Sequence, residues 1–99
     1  MKEALLRKKA TQLLKNEGWV VWFPKKVKFW ETDIFGVYDI LAVRKNKLRF
    51  IQITTLPNLS ARRKKIQNFL IPNEVNIPSE IWAYDKKKKK FKIEKVDDT

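Results

Sequence analysis

One residue carries chemistry where an apolar side chain would be expected, Asp39, and two more polar side chains, Gln52 and Thr54, follow on the next strand. Asp39 sits in the middle of residues 37–43, a run apolar on both faces, as in a strand of a covered sheet. Burying an ionised carboxylate there is costly unless a cation or several hydrogen-bond donors meet it. Asp39 is therefore expected to be paired, solvated through a cleft, or bound to a metal. A short basic turn leads to the next strand, residues 48–54. Alternation places Leu48, Phe50, Gln52 and Thr54 on one face and Arg49, Ile51 and Ile53 on the other. Two polar side chains thus end one face.

The composition narrows what these groups could do. The chain has no cysteine, so disulfides, thiol catalysis and zinc–thiolate sites are excluded. It has no histidine, which removes imidazole bases, Ser-His triads and His-metal nucleases. Gly18 and Gly36 are the two glycines, too few for a P-loop or a dinucleotide fingerprint. Any catalysis must use carboxylates, lysines and a hard cation such as magnesium, whose ligands are oxygens.

The elements that would position these groups follow from periodicity. Residues 2–17 read as an amphipathic helix. Leu6, Ala10, Leu13 and Leu14 form its stripe, Leu5 widens it, and Lys2, Arg7, Lys8, Lys9 and Lys15 face water. Gly18 is a natural stop. Glu3 and Glu17 on this helix suit local pairing with Arg7 or solvation. Residues 19–23 make a strand ended by Pro24. Residues 24–35 read as a long hairpin arm or loop. In it, Lys25, Lys26 and Lys28 interleave with Phe29 and Trp30, beside Glu31 and Asp33. Lysines on phosphates with Trp30 on a base face would suit a nucleic-acid strand; Phe29 and Trp30 would equally suit a cap on the core edge.

Beyond a loop holding Pro57, Asn58 or Ser60 offers an N-cap for a helix over residues 61–70, buried through Ile66, Phe69 and Leu70. Arg62, Arg63, Lys64 and Lys65 crowd its first turns, against the positive end of the helix dipole. That pattern suits phosphate contact, or a solvated charged face. Residues 80–84 and 91–96 read as two further strands. The turn between them carries five successive lysines, a solvated run or a second phosphate patch, and residues 97–99 form a frayed tail.

Ninety-nine residues make one domain, 1–99, with a modest core. Lys and Arg number 23 against 11 Asp and Glu, a formal net charge of +12, which favours polyanionic partners, nucleic acid foremost. The alternative origins of such a surface are solubility or thermophile-type ion-pair networks. The N-terminus is too charged for a signal peptide and no apolar run approaches the ~20 residues of a membrane span, so a cytoplasmic protein without membrane contact is expected.

The order helix, three strands, helix, two strands resembles the PD-(D/E)xK nuclease superfamily, and within it the archaeal Holliday-junction resolvases. The matching features are Gly18-Trp19-Val20-Val21, the 24–35 loop, Tyr38-Asp39-Ile40, Gln52-Ile53-Thr54, the Arg62 helix and the Trp82 hairpin, in that order. The resemblance covers nearly the full length. It implies an α/β, restriction-endonuclease-like three-layer fold of order αβββαββ, with a central mixed five-stranded sheet flanked by helices. It also implies a catalytic trio in which Asp39 takes the aspartate position, Gln52 the glutamate position and Thr54 the lysine position. Mg2+ or Mn2+ would be bound weakly by Asp39, Gln52 and a helix carboxylate. Arg7 stands at the matching distance from Gly18, so Glu3, one helical turn away, is the residue that would serve.

The departures point away from strong catalysis. Glutamine offers a neutral oxygen where a carboxylate would attract the dication, and threonine supplies no ammonium to stabilise hydroxide or transition state. The expected function is binding of branched or distorted DNA, with Lys25, Lys26, Lys28, Trp30, Arg62, Arg63, Lys64 and Lys65 as the contact set and a degenerate or weak phosphodiesterase site. RNA binding stays open. One alternative is an active metal-dependent endodeoxyribonuclease in which Lys64 or Lys65 and Glu31 or Asp33 have taken over missing roles. Another is a non-enzymatic protein-interaction module, for which the four tryptophans could supply an interface. The resemblance favours a homodimer.

Overall fold

The computed structural model describes residues 3–24 and 33–97. The first helix, α1 (Glu3–Asn16), buries Leu6, Ala10 and Leu14, which recur at helical spacing, while Lys8, Lys9 and Lys15 stay exposed. Leu5 and Leu13, expected in or beside the stripe, are about half exposed, because they lie on its flanks. The helix ends in a Schellman motif: Gly18 N–H donates to the Lys15 carbonyl and Trp19 N–H to that of Leu14, with Gly18 at φ +89°. A Cβ there would meet both the left-handed backbone penalty and the Arg44 guanidinium at 3.3 Å.

Five strands form one mixed sheet in chain order: β1 (Val20–Trp22), β2 (Ile40–Arg44), β3 (Lys47–Thr55), β4 (Ser79–Asp85) and β5 (Lys90–Val96). Neighbouring strands are antiparallel except β3 and β4, which run parallel. A parallel pair needs a crossover. It is built from a one-turn 3-10 helix, Leu56–Asn58, then α2 (Leu59–Leu70) and an irregular return to Ser79. The α2 helix starts two residues earlier than residue 61, with Asn58 in the N-cap position but making no side-chain cap bond. The 3-10 turn carries Pro57 in its opening positions and hands its direction on to the helix.

The sheet separates two cores, giving three layers. On one side Ile40, Ala42, Ile51, Ile53, Trp82 and Tyr84 pack under Leu6, Ala10 and Leu14 of α1. On the other, Ile81, Ala83, Val96, Val37 and Tyr38 pack with Ile66 and Leu70 of α2. The alternation expected along β3 holds: Ile51 and Ile53 face α1, whereas Phe50 packs on the α2 side.

The second strand departs from the expected fully covered one. It begins at Ile40 rather than 37, and Val43 is exposed and Leu41 half-buried. The cause is coverage: α2 contacts β3, β4 and β5. Among the described residues no helix covers the half of that face made by β1 and β2, where Val20 is 71% and Trp22 55% exposed. Register aligns Val20 with Val43 and Val43 with Leu48, so these exposed side chains form one row. Among the described residues no helix is long and apolar enough to cross a membrane.

Candidate functional site

The pairing of β2 with β3 sets Ile40 opposite Ile51, and Asp39 N–H donates to the Ile51 carbonyl at 2.8 Å. That register carries Asp39 alongside Gln52. The Gln52 amide donates through Nε2 to Asp39 Oδ2 at 3.0 Å, and Ile53 N–H donates to the same oxygen at 2.7 Å. Thr54 follows two residues further along the strand. Exposures are 1% for Asp39, 1% for Gln52 and 5% for Thr54. Asp39, just before β2, and Gln52 of β3 are thus in direct contact, Thr54 lies further along β3, and all three are buried.

The orientation of the Gln52 amide bears on what the site can hold. A dication would be approached by oxygens from both side chains. Here the amide nitrogen faces Asp39 and supplies a partial positive charge to the carboxylate, while Gln52 Oε1 is buried with no hydrogen-bond partner among the described residues. Among the described residues there is also no group of three or more acidic, histidine or cysteine side chains able to hold a metal ion. In this orientation Gln52 presents its amide nitrogen to Asp39, and no hydrolytic step is assigned to the pair. Glu3 opens α1, but its side chain lies outside the description.

The expected phosphate contacts divide three ways. Lys25, Lys26, Lys28, Trp30 and Glu31 lie outside the described residues. On α2, Lys64 is exposed and Arg62 and Lys65 are half-buried. Arg63 is engaged with Glu94 of β5, through Nε to Oε2 at 2.5 Å and Nη2 to Oε1 at 2.9 Å. The hydrogen bond and charge of Arg63 hold the Glu94 carboxyl below its ordinary range, against the opposing effect of burial. Arg63 therefore joins α2 to the sheet edge. The five lysines 86–90 are all exposed, on the turn from β4 and at the start of β5.

A second polar constellation lies on the α1 side. Arg49 forks onto Glu80, with Nε 3.0 and 3.1 Å from its two oxygens and Nη2 on Oε1 as well. Trp82 Nε1 donates to the same Oε1 at 2.7 Å. The Arg49 guanidinium lies over the rings of Trp19 at 4.9 Å and Trp82 at 5.6 Å. Strand alternation places Arg49 on a face with Ile51 and Ile53 but does not name its partner. The signal for a partner was an arginine on an otherwise apolar face, with one glutamate opening the apolar run that begins at Glu80.

Tyr38 ties the two regions together. Its ring packs on Phe50 at 5.4 Å, and its hydroxyl meets Ser79 Oγ at 2.5 Å. Ser79 donates its own proton to the Ile77 carbonyl, so Tyr38 is the donor in that pair. Burial pushes the Tyr38 phenol above its ordinary value.

In comparisons with protein-family models, with curated proteins and with solved structures, nothing matches this chain.

Proposed function

We propose that this chain is a nucleic-acid-binding protein with a resolvase-like nuclease fold, acting on branched or distorted DNA, and that its phosphodiesterase site is degenerate. The observation that carries the degenerate half is the Gln52 amide donating into Asp39, which puts a neutral donor where the family's frame would put a cation. The binding half rests on charge: Arg62, Lys64 and Lys65 of α2 and lysines 86–90 give a cationic surface on a chain of net charge +12. Arg63 contributes mainly to the fold.

Titration of a four-way junction and a linear duplex by fluorescence anisotropy tests the binding. Affinity should fall log-linearly with salt, with a slope of about 0.9 for each duplex phosphate contacted; a flat response would remove phosphate contact from the picture. Junctions incubated with excess protein and Mn2+ should stay intact. In the folded double variant Gln52→Glu with Thr54→Lys, appearance of metal-dependent cutting would support kinship with the nuclease frame, and its absence would count against it.

A second reading, a protein-interaction module, is favoured by the bare row Val20, Val43 and Leu48 with exposed Trp22 beside it. Trp22→Lys would weaken such an association and leave salt-dependent nucleic-acid binding in place.

A further inference from the structure

The parallel strands β3 and β4 end side by side, and what lies beyond their carboxyl ends has the makings of a ligand seat. Thr55 leads into the 3-10 turn, Asp85 leads into the lysine turn, and between them opens a cleft of about 400 Å³. Leu56, Pro57 and Tyr84 supply an apolar wall, and Lys86 and Lys87 stand on the rim. Lys9 of α1 lies over the Tyr84 ring at 5.6 Å and holds that ring from outside the cleft. The acid in the lining, Asp85, is turned to local use: its Oδ1 accepts the backbone N–H groups of Lys87 and Lys88 at 2.9 and 3.2 Å.

The pairing of an apolar wall with a cationic rim selects among polyanions. A flat lysine patch would recognise phosphates alone. A concave cleft with Leu56, Pro57 and Tyr84 on its wall also matches the apolar surface of a base or ribose between phosphates. Duplex nucleic acid keeps its bases stacked inside a convex backbone and presents one to such a hollow only by extruding it, at an unstacking cost of a few kcal/mol, whereas a single strand presents one without that cost.

We infer that this cleft seats one nucleotide of a single-stranded nucleic acid, with the phosphates flanking it on Lys86 and Lys87. The inference rests on the nucleic-acid-binding reading above; it adds a preference for unpaired strands and a location distinct from the Asp39–Gln52 pair.

The test titrates the full chain into labelled single-stranded DNA and RNA of about ten nucleotides, and into a duplex of equal length. Lys86→Glu with Lys87→Glu should lower single-strand affinity at least about tenfold and reduce the salt slope by about 1.4, or ~0.7 for each lost phosphate contact. Lys45→Glu with Lys47→Glu makes the same charge change at the opposite end of β3 and should cost less than about threefold, since it acts only through the long-range field. Pro57→Glu places a carboxylate on the cleft wall and should weaken single-strand binding while leaving duplex binding within about twofold. All five positions are exposed, so the fold should survive, as circular dichroism would verify. Equal losses from the two lysine pairs, or unchanged single-strand binding by Pro57→Glu, overturn the cleft while the general reading stands. Failure of the unsubstituted chain to bind any of the oligonucleotides overturns both. A difference between DNA and RNA identifies the sugar the cleft prefers.

Discussion

Glu80 and Asp39 are both buried carboxylates of one sheet, on the two sides of β3, and the sheet treats them differently. Glu80 meets a guanidinium fork from the adjacent strand and an indole N–H from its own. The donors described for Asp39 are an amide and a peptide N–H. The first arrangement brings in a full opposite charge and a planar, two-point geometry, with tryptophan faces over the cation. The described part of the second supplies two neutral dipoles, an amide and a peptide N–H. A buried acid is therefore no mark of catalysis by itself: the partner delivered by the neighbouring strand decides whether it is a structural tie or a group that could do more.

Substitutions that remove or invert a partner separate the two cases. Glu80→Ala leaves Arg49 without its carboxylate and Trp82 without its acceptor, and should lower the unfolding free energy by about 3 kcal/mol in urea denaturation. A loss below about 1 kcal/mol would place this pair with ordinary surface bridges. Gln52→Glu sets a second carboxylate against Asp39 and should cost about 2 kcal/mol at neutral pH. Like charge raises a carboxyl pKa in the folded state, so that penalty should fade as pH falls through the raised value; relief by Mn2+ instead would reveal a latent cation site.

Tyr38→Phe cuts the link between the regions and should cost about 1 kcal/mol. Because burial raises the Tyr38 pKa, its contribution is full below the ordinary value of about 10 and is lost as pH rises through the folded value. The phenylalanine variant should therefore show a flatter alkaline limb in thermal unfolding. The smallest change is expected for Glu94→Gln. Arg63 depresses the Glu94 pKa, so the pair contributes above the ordinary carboxylate value and ceases to contribute as pH falls through the depressed one. Stability curves of the two proteins should converge in acid, and added salt should narrow their gap at neutral pH.

The element order, the faces of β3 and the helix stop at Gly18 were legible because each depends on local patterns: alternation, helical spacing, and a glycine where φ turns positive. The nearness of Asp39 and Gln52 was legible through the resemblance, and the structure adds the direction of the amide. The Arg49–Glu80 pair was not legible, since its partners lie 31 positions apart and meet only across the parallel joint. The exposure of Val43 was hidden for a similar reason. An apolar strand reads the same whether or not a helix covers it, and only the placement of α2 over β3 to β5 decides. The tie between Arg63 and Glu94 likewise spans 31 positions, so a basic helix face read as phosphate-seeking held one residue committed to the fold.

The single parallel joint also shapes how the chain assembles. β2–β3 and β4–β5 are hairpins that can zip from their own turns, and β1 adds to the first of them. The β3–β4 ladder must wait until the crossover through α2 has closed, at an entropic cost that the shorter loops avoid. On sequence separation alone the molecule is expected to form as two antiparallel pieces sealed along one late seam. Gln52, Thr54, the Arg49–Glu80 fork and the lysine-rimmed cleft all lie on that seam, so whatever the chain binds there also reports that the two pieces have joined.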